Sequence, residues 1–100
     1  MIFNLANSAK DRELLEPVDT DVSAEGFTLI LFNDSYHDFD EVINQVMKAA
    51  GCGYDRAEAI TMEAHSKGRS AVIRGELEKC LQAQAVLEEI RLRTAIEVNA

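Results

Sequence analysis

The chain's 100 residues, 47% of them hydrophobic and 28% charged, suffice for one modest core and leave no room for a second. Eighteen acidic against ten basic residues give a formal charge of −8, which repels phosphate backbones and anionic bilayers and so excludes nucleic acid and membranes as expected partners. Cys52 and Cys80 stand apart with no neighbouring Cys or His, matching neither zinc spacing nor a disulfide scaffold. No apolar run approaches the ~18 residues of a membrane span, so reduced thiols and a cytoplasmic location are expected.

Residues 1–26 read as a flexible acidic extension: DRELLEPVDTDVSAEG carries the single proline, many acids and no sustained period. The domain is expected over 27–100. Phe27 to Phe32 is a β-prone apolar run closed by Asn33-Asp34-Ser35, residues that favour a turn. Asp38 and Glu41 have capping-box spacing, and Phe39, Val42, Ile43, Val46, Met47 and Ala50 recur as one buried helical face, stopped by Gly51 and Gly53. Asp55 with Glu58 repeats the cap pattern. Ala57, Ile60, Thr61 and Ala64 form the next inward stripe, with His65 in the last turns before Gly68.

Ser70 to Arg74 reads as a strand, and Leu77, Cys80, Leu81, Ala85, Val86 and Ile90 as the inward side of a third helix opened near Gly75-Glu76. Alternation of Thr94, Ile96 and Val98 predicts a closing strand. The order β-α-α-β-α-β, with three short strands that cannot cover both of their own faces, predicts an α+β two-layer domain. It has a small, mostly antiparallel three-stranded sheet and three helices packed on one face.

No phosphate loop, nucleophile elbow or metal-ligand spacing is present, so neither an enzyme nor a cofactor is expected. His37, Asp38 and Asp40 are poor metal ligands, because Asp38 is better employed as a helix cap and adjacent helical positions point apart. Taken singly, Asn33 and Asp34 are explained by a turn, His65 by a helix end and Phe39 by the core.

Together, however, FNDSYHDFDEVINQV, RAEAITMEAHSKGR and SAVIRGELEK resemble the ClpS adaptor family: a strand running into Asn-Asp-x-Tyr, a helix, then a second helix reaching His before Gly. The likeness covers Phe27 to Val98. It implies an adaptor that binds the free α-amine and bulky hydrophobic side chain of N-terminal residues (N-degrons) and delivers the substrate to a Clp-type AAA+ unfoldase, ClpA- or ClpC-like. By that resemblance Asn33, Asp34, Ser35 and His65 hold the amine. The pocket wall is Leu31, Phe32, His37, Phe39, Thr61, Ala64 and Ile96, Glu76 takes part in docking on the unfoldase, and the acidic extension is the arm used in delivery. The residue chemistry agrees: a cationic amine needs convergent acceptors, which the Asn33 carbonyl and a neutral His65 ring nitrogen can supply beside a dry pocket. A neutral His65 implies binding that weakens as acid protonates imidazole.

The chain departs from the family pattern at several positions. Ser35 stands for a second Asp, Asp38 for Pro and Phe39 for a Met that guards the pocket, while Thr61 and Ala64 are smaller than the usual Met and Val. The stretch from Arg74 to Leu81 is shorter and has no clear match to a docking Lys. The alternative is a ClpS-like interaction domain that docks on an unfoldase or another protein without reading amino termini.

Overall fold

The computed structural model describes residues 26–99. Six elements run as expected: β1 (Phe27–Phe32), α1 (Phe39–Ala50), α2 (Tyr54–Lys67), β2 (Arg69–Gly75), α3 (Leu77–Glu88) and β3 (Thr94–Val98). β1 is the centre of a three-stranded sheet in the order β2-β1-β3 and is antiparallel to both neighbours. The helices cover one face. Most of the acidic extension lies outside the described residues, but its last member, Gly26, accepts a hydrogen bond from the Asn99 amide at 2.7 Å.

Local chemistry sets the boundaries of α1. Asp38 adopts an extended backbone and its carboxylate accepts from the Glu41 amide at 2.9 Å, while Gly51, at φ 67°, returns its own amide to Met47. The second helix begins earlier than the Asp55–Glu58 pair predicts. Gly53 takes the N-cap position with no side-chain bond, and Asp55 sits in the first turn, where a carboxylate favours the helix dipole without capping it.

The core joins Leu29 and Leu31 of β1, Val42, Ile43 and Val46 of α1, and Ala57, Ile60 and Ala64 of α2. Val72 of β2 and Cys80, Ala83 and Leu87 of α3, with Leu92 and Ile96, complete it. The α3 stripe is thus rotated from the expected one: Leu81 is 44% exposed and Ala85 is also exposed, whereas Ala83 and Leu87 are buried. Apolar residues surround most of this helix, so periodicity alone does not select a face and contact with β1 and α1 does. In α1 the unexpected buried residue is Gln45. Its amide donates to the Val86 carbonyl at 2.6 Å and to Glu89 at 3.0 Å, satisfying a buried polar group and clamping α1 to α3.

Candidate functional site

The strand β1 ends at Phe32, and the chain leaves it through a corner whose geometry Asp34 dictates. One Asp34 oxygen accepts from the Tyr36 amide at 2.5 Å and the His37 amide at 3.1 Å, and the other meets His37 Nδ1 at 2.5 Å. Burial alone would raise the Asp34 pKa, but these three bonds and the nearby imidazole lower it below the usual carboxylate value. His37 moves the opposite way. Its bond to Asp34 raises its pKa against the effect of burial, with further help from the Asp34 charge and the Ile90 carbonyl. The corner is therefore held by the Asp34–His37 contact, largely shielded from solvent, which leaves both Asp34 oxygens engaged within the loop.

Asn33 is brought to α2 by one backbone bond. Its amide donates to the Gly68 carbonyl at 3.0 Å, and Gly68, at φ 92°, turns the chain from α2 into β2 so that Arg69 pairs with Phe32. The positive φ favours glycine here. His65 sits just under one helical turn before Gly68, on the same depression as the Asn33 corner. Both side chains are exposed, and neither hydrogen-bonds another described residue.

These two polar residues share the rim of a depression lined by Leu31, Phe32, Asp34, His37, Phe39, Thr61 and Ala64. Leu31, Thr61 and Ala64 are buried. The Thr61 hydroxyl donates to the Ala57 carbonyl at 2.8 Å, so that residue adds no unpaired donor to the wall. Phe39 stands at the mouth, 43% exposed, with its ring edge-on to His65 at a centroid separation of 5.0 Å and an interplanar angle of 81°. In this conformation the cavity is about 20 Å³, room for about one water molecule and not for an aromatic side chain.

Ile96, expected in the wall, is not part of it. It faces the main core from β3, and Val42 and Leu92 occupy the wall instead. Val42 lies three residues after Phe39 on the same helical face and could have been found from that spacing. Leu92 lies in an irregular turn with no period to betray it. Ser35 is exposed and does not line the depression. Glu76 precedes α3 at the far end of β2 and borders a separate concavity with Arg74, Glu78, Lys79 and Gln82.

Chemically, the arrangement offers a side-chain carbonyl and an imidazole nitrogen next to a small recess, with the Phe39 ring over the entrance. Among the described residues, no group of three His, Cys, Asp or Glu could hold a metal ion, and no helix is long and apolar enough to cross a membrane.

Comparison with known proteins bears on the same segments. The family model described as ATP-dependent Clp protease adaptor protein ClpS matches residues 23–95, which include every residue that lines the depression. The chain is also similar to E3 ubiquitin-protein ligase UBR2 of Mus musculus, 30% identical over 78 residues, or 78% of this chain and 4% of the ligase. E3 ubiquitin-protein ligase UBR1 of Homo sapiens is 29% identical over 75 residues, 75% of this chain and again 4% of the ligase. The chain thus spans only a small fraction of the ligases it matches.

Proposed function

The chain belongs to the ClpS family of Clp protease adaptors, and from that premise we propose that it binds the free amino terminus of proteins whose first residue is bulky and hydrophobic. On this reading Asn33 and His65 accept hydrogen bonds from the α-amine, and the first side chain enters the recess between β1, α1 and α2. Asp34 acts through the loop, by shaping the corner and by its negative field, since its oxygens are already engaged. The observation that carries the reading is the meeting of Asn33 and His65, from separate elements, on the rim of one apolar depression. Delivery to a Clp-type AAA+ unfoldase in the cytoplasm, with Glu76 in the docking surface, completes the proposal. The likeness to segments of two ubiquitin ligases supports a role in handling other proteins.

A second reading is favoured by one specific contact. Phe39 resting on His65 leaves a cavity too small for a large side chain, as a domain that docks without reading amino termini would have. Fluorescence anisotropy with short peptides that differ only at residue one separates the two. The adaptor reading expects binding to free-amine peptides beginning with Phe, Leu, Trp or Tyr, none to N-acetylated Phe, and at least a tenfold loss in Asn33→Ala, since a hydrogen bond to a charged group is worth about 1.5–3 kcal/mol. Binding that ignores acetylation would leave the docking-only reading. Delivery is tested separately, by adding the protein to a Clp-type unfoldase and protease with a reporter that begins with Phe.

A further inference from the structure

The cavity of about 20 Å³ has to enlarge before a bulky side chain can enter, and its walls differ in their freedom to move. Leu31 lies in the central strand, and Val42, Thr61 and Ala64 lie buried on inward helical faces, where close packing fixes them. Phe39 is the first residue of α1 and stands at the mouth. Among the described lining residues, Leu92 is the apolar one outside a helix or strand, in the turn between α3 and β3. That turn is strained at Arg91, whose φ of 65° is left-handed for a residue with a Cβ. The Leu92 amide reaches the Leu87 carbonyl only at 3.3 Å, a long bond.

His37 connects this turn to the Asn33 corner. Its Nδ1 meets the Asp34 carboxylate at 2.5 Å, it lines the recess, and the Ile90 carbonyl, two residues before Leu92, lies close enough to favour a proton on the ring. A neutral imidazole has one N–H and can donate to only one of two acceptors, whereas the protonated ring can donate to both. When the second proton leaves, the carboxylate keeps the remaining N–H as the stronger acceptor, and the carbonyl loses its donor. The other groups around His37 leave that choice to Asp34 and Ile90. Glu41, in the first turn of α1, adds a smaller favourable charge, α2 brings His65 to the same recess, and Arg91 and Arg93, which flank Leu92 in the chain, are both exposed.

Resting on the amino-terminus reading above, we propose that His37 is a positioning residue that sets the size of the recess. Linked to both Asp34 and the Ile90 carbonyl, it holds the turn against the corner and Leu92 inward, and the recess is narrow. Linked to Asp34 alone, it releases the turn, and Leu92 withdraws to admit a bulky first side chain. Because the bond to Asp34 raises the His37 pKa, the narrow form persists above the ordinary value near 6.5, and the recess widens as pH rises through the higher one.

The test is anisotropy from about pH 6 to 8.5 with two C-terminally labelled peptides, one beginning with Trp and one with Leu and identical thereafter. Both present the same α-amine, so protonation of His65 or of the amine cancels in the ratio of their affinities, and the ratio reports the room in the recess. In the unmodified protein the Trp-to-Leu ratio should rise about 3- to 10-fold with pH, a share of what a hydrogen bond from a charged donor is worth. It should stay level in His37→Gln, which has no titrating ring. In the free protein, NMR should show the Leu92 methyl signals moving with the same midpoint as the His37 ring. A level ratio in the unmodified protein, or Leu92 signals that do not follow His37, would overturn the inference and leave amino-terminus recognition standing. A rise that survives His37→Gln would overturn the assignment to His37. Failure of every free-amine peptide to bind would remove the amino-terminus reading and this inference with it.

Discussion

On the proposed reading, Phe39 is the side chain on which ligand entry turns. An edge-on aromatic contact is worth about 0.5–1.5 kcal/mol beyond area burial, and any bulky group entering the depression has to displace it. Phe39→Ala removes that opposition. Peptides beginning with Phe are expected to bind the variant about 2- to 10-fold more tightly than the parent, measured by anisotropy under identical conditions. An unchanged affinity would mean that the ring does not obstruct the site. The pair of Asp34 and His37 makes a second prediction at this scale. The raised His37 pKa stabilises the fold fully below its ordinary value near 6.5, and that contribution is lost as pH rises through the higher folded value. The lowered Asp34 pKa contributes above 3.8 and fails only as pH falls through its depressed value. The melting temperature should therefore decline as pH rises from about 6 to 8.5, and His37→Gln should flatten that slope. A slope of equal size in the variant would place its origin elsewhere.

At the scale of the element, α3 shows where pattern and packing part. Leu87 is fully buried whereas Leu81 is 44% exposed, although both are leucines on one helix and Leu81 was the expected inward residue. Leu87→Ala is expected to cost about 2–5 kcal/mol in urea unfolding, and Leu81→Ala less than about 0.5 kcal/mol. Similar losses would contradict the observed face. By contrast, the buried face of α1 at Val42, Ile43 and Val46 and the stripe Ala57, Ile60, Thr61 and Ala64 of α2 were legible because polar positions interrupt the apolar ones and so define a face, although Phe39, expected on the buried face of α1, is exposed at its start because it caps the depression beside His65. The first cap was also legible, since Asp38 has the shape and spacing to bond the Glu41 amide. The start of α2 was not, because a glycine N-cap leaves no side-chain signal.

For the molecule as a whole, Gly68 joins the two halves of the site. It ends α2 after His65, starts β2 beside Phe32 and holds the Asn33 amide through its carbonyl. An added Cβ would meet nothing within 4 Å, so substitution is resisted by backbone conformation and not by crowding. Gly68→Ala is expected to cost roughly 1–2 kcal/mol in urea unfolding, the strain of a left-handed L-residue. A neutral effect would show that the turn relaxes to another conformation.

The sequence by itself determined the α+β class and the order of the elements, because strand propensity, capping chemistry and helical spacing act over a few residues and leave local signatures, and its motifs taken together carried the resemblance to the family. Only the tertiary structure decided which face of α3 is buried, that Leu92 and not Ile96 completes the depression, that Phe39 leans on His65, and that Arg69 and Arg93 both lie over the Phe32 ring. Those outcomes depend on contacts between residues far apart in the chain, where close packing selects among side chains that local pattern treats as equivalent.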